Sequence, residues 1–210
     1  MLVLHGNCIK NILSEISYKY RNKKTFLDVG CGDGSRTVIF DEYGRYINGV
    51  DCHRWLKDEL KERIDFKQED FIKTNLTYED GSFDIIFSFD VIEHLRRPQI
   101  MLKEILRILK KDGVFIISTP NRDRLGSFLL CLFGLRKFPY YPNKETINSD
   151  PYSAHVIEYS ISELGHLLKQ EGFKTIKIHR LFYGLSGKFG FRYLFAFPLF
   201  HNIILECTKQ

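Results

Sequence analysis

The chain has 210 residues, of which 44% are hydrophobic and 27% charged, as in an ordinary globular domain. No apolar run reaches the roughly 20 residues of a membrane-spanning helix, and the five cysteines are scattered, odd in number and without a CxxC pair. The opening MLVLHGNCIKN lacks the pattern of a secretory signal, so we expect one domain, residues 1–210, in the reducing cytoplasm.

The net charge of +5 is unevenly distributed along the chain. Residues 121–210 carry 12 Lys/Arg against 7 Asp/Glu and hold 16 of the 30 aromatic residues. This pattern fits an anionic or lipid-like partner. It fits equally well a set of solvated lysines over a Phe-rich core.

Hydrophobic periodicity predicts strands that alternate with helices. The elements expected up to residue 120 are a helix over 7–20, a strand at TFLDVG, a short helix from Ser35, a strand at YINGVD, a helix at RWLKDELKER, strands at IDFKQEDF and SFDIIFSF, a helix at PQIMLKEILRILKKDG and a strand at VFIISTP. We expect Gly113 to end the last of these helices. Because the hydrophobicity of SFDIIFSF is continuous rather than alternating, it is interpreted as a strand that is covered on both faces.

The alternation lapses over residues 122–153 and resumes at the helix YSISELGHLLKQEGF, where Ser160 and Glu163 form a capping box. A strand at FKTIKIHRLF, an aromatic segment at 183–199 and a final strand at HNIILECTKQ follow. The alternation predicts crossover connections and therefore an open, mostly parallel α/β sheet. Residues 122–153 and 183–199 are interpreted as insertions that cap a substrate.

The loop GCGDG, residues 30–34, directly follows the first strand of the alternating pattern. Glycine permits sharp turns and lets a ligand touch the main chain, and ligands of open α/β sheets bind beyond the carboxyl ends of the strands. Ser35 stands where a dinucleotide fingerprint has its third glycine, and no Gly-Lys-Ser/Thr follows. The loop therefore departs from the dinucleotide pattern, and a P-loop is excluded.

Three carboxylates accompany the glycine loop. Asp51 ends the second strand, 21 residues after Gly30, where an acid can accept hydrogen bonds from ribose hydroxyls. Asp70 follows the third strand, where it can accept from an adenine amino group while Phe71 flanks the ring. Asp28 is the third acid. Three carboxylates suit a cationic nucleoside and would repel a pyrophosphate.

In order and spacing, FLDVGCGDG, GVD, QEDF, SFDIIFSFDVIEHL and LRILKKDGVFIISTPN resemble the class I S-adenosylmethionine-dependent methyltransferases. DVIEHL in particular is similar to the small-molecule type found in ubiquinone and menaquinone biosynthesis. The resemblance covers residues 24–121 and resumes at HVIEYSISELGHLLKQEGF. It implies a doubly wound, Rossmann-like sheet of seven strands with an antiparallel last strand.

The resemblance also implies that S-adenosyl-L-methionine lies across the ends of the first two strands. The Gly30–Gly34 loop would hold its methionine part, Asp51 its ribose and Asp70 its adenine. The residues assigned to the cofactor are Asp28, Gly30, Cys31, Gly32, Gly34, Asp51, Cys52, Asp70, Phe71 and Ser88.

The segment after the fourth strand gives information on the identity of the methyl acceptor. It reads SFDVIEHL and lacks the Pro-Pro-aromatic motif of nucleobase amino-methyltransferases, so nucleic acid is a disfavoured partner. We expect a small-molecule acceptor, hydrophobic or lipid-linked, that is methylated at oxygen, with peripheral membrane contact through the two insertions. The alternatives are an RNA or protein methyltransferase and a non-catalytic cofactor-binding module.

His155 and His94 are the candidate catalytic residues. Imidazole titrates near neutrality, which suits a base for a hydroxyl group, and His155 precedes the capping box where the family often carries a histidine. Asp90, Glu93 and His94 are spaced i, i+3, i+4, which predicts one helix face. Some relatives use a similar arrangement for a divalent metal, but spacing alone is a weak guide and no metal is assigned.

Overall fold

The computed structural model describes residues 3–73, 75–124, 129, 132–134, 155–182, 189–192 and 201–210. Most of the two predicted substrate-capping insertions, 122–153 and 183–199, lies outside these residues. Their capping role therefore stays a prediction.

In the described part of the chain, nine strands form one mixed sheet. They are β1 Val3–Leu4, β2 Thr25–Val29, β3 Tyr46–Asp51, β4 Asp65–Gln68, β5 Phe83–Phe89, β6 Leu109–Pro120, β7 Phe173–Phe182, β8 Phe189–Arg192 and β9 Asn202–Lys209. Their order across the sheet is β1-β8-β7-β9-β6-β5-β2-β3-β4. Strands β2 to β6 pair in parallel, and β9 lies antiparallel between β6 and β7. The predicted seven-stranded sheet with its antiparallel last strand is confirmed, and the short strands β1 and β8 extend one edge.

Three α-helices accompany the sheet in the described residues: α1 His5–Lys19, α2 Pro98–Ile108 and α3 Ile161–Gln170. The predicted capping box is confirmed, since the Ser160 side chain accepts from the Glu163 N–H and the Glu163 side chain accepts from the Ser160 N–H. None of the described helices is both long and apolar enough to cross a bilayer.

Two predicted helices are only short 3-10 turns, at Thr37–Phe40 and Asp58–Leu60. The first is rich in β-branched and aromatic residues, which have low helix propensity. The second is preceded by extended backbone at Lys57, whose N–H donates to the Asp33 carbonyl of the glycine loop. Low helix propensity therefore shortens the first helix, and the contact with the glycine loop shortens the second.

The end of α2 also differs from the prediction. The helix ends at Ile108, and Leu109 already has an extended conformation, so Gly113 does not end it. Phe83 of β5 pairs with Leu109, whereas Ile85 pairs with Val114, so the intervening residues bulge out of the ladder. Gly113 lies in that bulge.

Helices cover both faces of the sheet, and a buried cluster lies on each side. One cluster contains α2 residues Met101, Leu102 and Ile105 with α3 residues Leu164 and Leu168. The other contains α1 residues Ile12, Leu13 and Ile16 with Phe26, Phe40 and Phe87. Because successive side chains of a strand point to opposite faces and both faces are covered, the central run of β5, Ile85–Phe87, is continuously apolar and fully buried, as predicted.

The strand order reverses beside β2. The chain runs from β2 to β3 and β4 on one side and then crosses to β5 on the other. In open α/β sheets this reversal leaves a crevice at the carboxyl ends of the strands, which is where ligands bind. The loops after β2, β3 and β5 all start at this edge.

A buried ionic cluster joins α1 to the last strand. Glu206 of β9 is fully buried and accepts hydrogen bonds from Tyr20 (2.5 Å), His179 (2.7 Å) and Lys19. Burial alone would raise the pKa of Glu206, but the bonds from His179, Lys19 and Tyr20 outweigh it and lower this pKa from 4.5 to about 2. The folded protein therefore holds the carboxylate charged.

We predict that Glu206→Gln makes the protein less sensitive to acid. A carboxyl group with a lowered folded pKa stabilises the protein above its unfolded pKa, and this stabilisation is lost as pH falls from about 4.5 to about 2. The variant should have a lower free energy of unfolding at pH 7 and a shallower decline across that pH window. Urea unfolding at several pH values measures this, with the exposed Glu59→Gln as control. A decline as steep as that of the wild type would contradict the prediction.

Candidate functional site

The glycine loop after β2 is fixed by strand β3. Gly30, Gly32 and Gly34 have φ values of +80°, +52° and +81°, which side-chain-bearing residues rarely adopt. The N–H groups of Gly30 and Cys31 donate to the Val50 carbonyl of β3 at 2.8 and 3.2 Å. The loop therefore leaves β2 along a path that the neighbouring strand defines.

Asp51, the last residue of β3, braces the tip of the same loop. Its Oδ2 accepts from the Gly32 N–H at 2.9 Å, and its Oδ1 accepts from the His53 N–H at 3.0 Å. The side chain is 8% exposed. The predicted ribose acid thus lies against the predicted methionine loop, and its contact with a ribose stays a prediction.

The three glycines differ in what surrounds them. A Cβ on Gly30 would lie 2.4 Å from a Val91 methyl, and one on Gly34 would lie 2.6 Å from Leu56 Cδ1. A Cβ on Gly32 would meet no atom within 4 Å. Gly30 and Gly34 are therefore needed for packing, whereas the space beside Gly32 is open to a ligand.

Asp28 lies beneath the loop and is fully buried. Its Oδ2 accepts from Thr37 Oγ1 at 2.6 Å, while its Oδ1 is buried with no hydrogen-bond partner among the described residues. Burial raises the pKa of Asp28 to about 7, although the Thr37 hydrogen bond and the Arg36 charge oppose this effect. A buried polar atom without a partner is costly and needs an explanation, which a bound ligand or water would supply.

An open cleft of about 400 Å³ lies along the loop, a size within the usual range for small-molecule sites. The predicted residues that line it are Asp28, Gly30, Cys31 and Gly32, and it is also lined by Asp33, Ser35, Arg36, Phe89 and Asp90. Together, the open space at Gly32 and the unpaired Asp28 oxygen fit a polar ligand that touches the main chain.

Other residues assigned to the cofactor lie outside this lining. Asp70 pairs with Lys73 at 2.7 Å and accepts from the Ile72 N–H. Phe71 is buried in the core, and the Ser88 hydroxyl donates to the Val29 carbonyl at 2.9 Å. Cys52 contacts Asp51, and burial raises the pKa of its thiol to about 11. Roles of these four residues in cofactor binding stay predictions.

A second polar group lies beyond β5. Ligand atoms of Glu93, His94 and His155 all lie within 4.8 Å of one another. The rings of His94 and His155 meet edge to face with centroids 5.0 Å apart. The backbone N–H groups of Val156 and Ile157 donate to the Glu93 carbonyl, so the segment that carries His155 is docked on this turn.

Glu93 and His155 have contrasting surroundings. Glu93 is fully buried; its Oε2 accepts from Thr119, and its Oε1 has no hydrogen-bond partner among the described residues but lies 4.0 Å from His94 Nε2. Burial, with Asp90 nearby, raises the pKa of Glu93 to about 7. His155 is 34% exposed, and its Nδ1 lies 3.3 Å from Glu158 Oε1, a hydrogen bond that raises the pKa of His155. Glu158 is held in turn by both terminal nitrogens of Arg124, each at 2.9 Å.

The expected helix face of Asp90, Glu93 and His94 is wrong. Asp90 has a left-handed φ of +57°, and only Ile92–His94 forms a 3-10 turn. The Asp90 carboxylate instead pairs with Arg36 at 2.6 Å, so His155 takes its place beside Glu93 and His94. These residue types suit a divalent cation as well as proton transfer, and the assignment of no metal stays a prediction.

Three residues of these groups had not been singled out in the sequence. Arg36 lies two residues after Gly34, the last residue of the glycine loop, and this nearness was the signal available in the sequence. Glu158 and Arg124 meet across 34 residues of sequence, and no local pattern connects them.

A family model described as a methyltransferase domain matches residues 5–178, which is most of the chain. The chain belongs to the class I S-adenosylmethionine-dependent methyltransferases. A ubiquinone biosynthesis O-methyltransferase of Glaesserella parasuis is 27% identical to it over 187 residues, which are 80% of this chain and 75% of the relative. The predicted family is therefore confirmed.

Two further comparisons show how far the similarity of this chain extends. A probable S-adenosylmethionine-dependent methyltransferase of Mycolicibacterium smegmatis is 27% identical over 161 residues, 75% of this chain and 55% of the relative. The chain thus spans about half the length of several curated relatives. A Thermotoga maritima structure, titled a possible histamine N-methyltransferase, shares the fold with a TM-score of 0.70 at 18% identity, over 98% of this chain and 91% of that one.

We predict that Gly32→Ala and Gly34→Ala have different effects on this methyltransferase. Both impose a backbone cost of about 1 kcal/mol at positive φ, but only Gly34→Ala also drives a methyl group into Leu56 and Leu60. Gly34→Ala should therefore lower the Tm further, whereas Gly32→Ala should mainly weaken binding of S-adenosylhomocysteine. Thermal unfolding and calorimetric titration measure the two effects.

Gly44→Ala is the matched control, because Gly44 also has a positive φ and open surroundings and does not line the cleft. It should reproduce the backbone cost without loss of binding. Equal Tm values for the Gly32 and Gly34 variants would contradict the packing role of Gly34.

Proposed function

We propose that this chain transfers a methyl group from S-adenosyl-L-methionine to an oxygen atom of a small, hydrophobic acceptor. The observation that carries the proposal is the hydrogen-bonded series His155–Glu158–Arg124 beside the buried Glu93, close to the edge of the cofactor cleft. An oxygen nucleophile benefits from a base, whereas transfer of the methyl group itself requires mainly orientation.

The cleft along Gly30, Cys31 and Gly32 would hold the methionine part of the cofactor, with Asp51 at the ribose and Asp70 at the adenine. The bound cofactor supplies the electrophilic methyl group. Support comes from the open space at Gly32 and from the unpaired Asp28 oxygen at the same edge. Carboxylates around a sulfonium nucleoside are also electrostatically favourable.

His155 would accept the proton of the acceptor hydroxyl. When the His155 Nδ1–H is donated to Glu158, Nε2 is the ring nitrogen that takes up a proton, and the two bonds from Arg124 keep Glu158 in position. Asp90 lines the cleft and is close enough to Glu93 to raise the pKa of Glu93. The group formed by Glu93, His94 and His155 therefore lies near the cleft. His94 would contribute to the wall on which His155 packs.

The acceptor is proposed to be hydrophobic or lipid-linked because residues 122–153 and 183–199 are rich in apolar, aromatic and basic residues. The same composition supports peripheral contact with a membrane surface. A cytoplasmic location is proposed as well, since the free cysteines Cys8, Cys31, Cys52 and Cys207 fit a reducing compartment.

We predict that the purified protein releases S-adenosylhomocysteine when it is supplied with S-adenosyl-L-methionine and phenolic acceptors that carry apolar tails. The attached methyl group should be found on oxygen, as mass spectrometry and isotope labelling of the product would show. Methylation of amines only would contradict the choice of oxygen. Turnover only with RNA or protein would favour those acceptors, and cofactor binding without turnover on any acceptor would favour a non-catalytic module.

We predict that His155→Gln lowers kcat by about 10²- to 10⁴-fold, the usual contribution of a general base, with little change in cofactor affinity. Single-turnover rates and S-adenosylhomocysteine titration separate these quantities. His166→Gln is the control, because His166 is exposed on α3. An unchanged kcat in His155→Gln would remove His155 from the reaction.

A further inference from the structure

An ion pair in the lining of the cleft joins the segment after the glycine loop to the end of β5. Arg36 Nη1 lies 2.6 Å from Asp90 Oδ2, and both residues line the 400 Å³ cleft. Arg36 comes from the segment that follows the loop, whereas Asp90 follows β5. The pair therefore connects two separate elements that line the cleft.

The Asp90 half of the pair is held firmly. Its N–H donates to the Ser118 carbonyl at 3.1 Å, and its Oδ1 accepts from Ser118 Oγ at 2.9 Å and from Asn202 Nδ2 at 3.4 Å. These partners belong to β6 and β9, so Asp90 is fixed to the sheet. Its left-handed backbone, at a φ of +57°, is the kind of strain that surrounding contacts must maintain.

The Arg36 half is the more exposed of the two. Its side chain is 42% exposed, and the residue stands just before the short turn Thr37–Phe40 rather than inside a regular helix. The Arg36 charge also lies close enough to Asp28 to oppose the rise in the pKa of that buried acid. The guanidinium thus lies among carboxylates at the part of the cleft that the glycine loop forms.

The same pair also borders a second cavity. A small space of about 10 Å³, roughly the size of one water, is lined by Arg36, Phe89 and Asp90 on the side of the cleft. Its other walls are apolar residues of α1, β7 and β9, with the polar side chains of Ser118 and Asn202. The Arg36–Asp90 pair is therefore part of the partition between the cofactor cleft and this cavity.

We propose that Arg36 is a latch that exchanges its partner when the cofactor binds, releasing Asp90 and taking the carboxylate of the cofactor's amino-acid end. The inference rests on the proposed cofactor. A guanidinium forms two parallel hydrogen bonds with a carboxylate, so the bound carboxylate replaces Asp90 without loss of charge pairing. The exchange breaks the Arg36–Asp90 bond. Only a ligand that carries a carboxylate replaces this bond, so the exchange selects such ligands.

The exchange also links the two cavities. When Arg36 moves away from Asp90, the wall between the small cavity and the cleft opens. The two spaces can then join. The Asp90 carboxylate, still held by Ser118 and Asn202, then faces that space. Cofactor binding would in this way prepare a polar and apolar pocket for the acceptor before the acceptor enters.

The test compares ligands that differ at the amino-acid end. Calorimetry would measure binding of S-adenosylhomocysteine, of its decarboxylated analogue and of 5′-methylthioadenosine to the wild type, Arg36→Gln, Arg36→Lys and Asp90→Asn. Lys57→Gln is the control, because Lys57 is a cation that pairs with Asp33 of the same loop and does not line the cleft. Thermal unfolding checks that each variant is folded.

We expect Arg36→Gln to weaken binding of S-adenosylhomocysteine about tenfold, because the two bonds to the ligand carboxylate exceed the single bond to Asp90 by one charged hydrogen bond, and to leave the other two ligands within about twofold. Asp90→Asn should strengthen S-adenosylhomocysteine several-fold, because Arg36 no longer has to be released. Arg36→Lys should retain part of the affinity, and Lys57→Gln all of it.

Equal losses for all three ligands in Arg36→Gln, or no loss for any, would overturn the latch. So would weaker binding of S-adenosylhomocysteine to Asp90→Asn. If the wild type bound none of these ligands, the proposed function itself would fail, and that result is distinct from binding that does not depend on Arg36. If Arg36→Gln does not fold, the ligand dependence of Arg36→Lys and Asp90→Asn decides the question.

Discussion

The hydrogen bond from the Gly32 N–H to the Asp51 carboxylate is the contact on which the site depends. It joins the tip of the loop after β2 to the end of β3, and the bonds from Gly30 and Cys31 to Val50 fix the base of the same loop. The loop can follow this path only because glycine adopts positive φ without a steric penalty. Once the loop is set, Gly34 packs against Leu56, Lys57 reaches the Asp33 carbonyl, and Arg36 is placed opposite Asp90. The same acid that is assigned to the ribose therefore also shapes the cleft.

Both polar groups of the site contain a buried carboxyl oxygen with no hydrogen-bond partner among the described residues, one on Asp28 and one on Glu93. Such atoms destabilise a folded protein unless something compensates for their lost hydration. In each case burial raises the pKa to about 7, so these two acids hold protons far more readily than exposed carboxyl groups do. Asp90 adds a strained backbone between the two groups. Stability is reduced at this edge of the sheet, and the packed helices on both faces offset the loss.

Much of the architecture could be predicted because it follows from short-range patterns. The continuous apolar run of β5, the capping box of α3 and the glycine loop each express a local rule, and each was found where expected. The failures have a common cause in long-range contacts. The helix expected at 54–63 is displaced by the bond from Lys57 to Asp33, and the helix face expected for Asp90 is replaced by the pairing with Arg36 and Ser118. Glu158 and Arg124 could not be paired from sequence, since the fold alone brings them together.

The position of β9 has a consequence for how the chain reaches its folded state. β9 comes last among the described strands, yet it lies between β6 and β7. Its residue Glu206 accepts the hydrogen bonds from Lys19 and Tyr20 that anchor α1. During synthesis, therefore, β7 emerges from the ribosome before β9, and α1 has no contact with Glu206 until β9 has been translated. A nascent chain of this kind exposes unpaired strand edges for longer than one whose contacts are local. Chaperones that shield such edges would be expected to matter more for its yield than for that of a helical bundle of equal size.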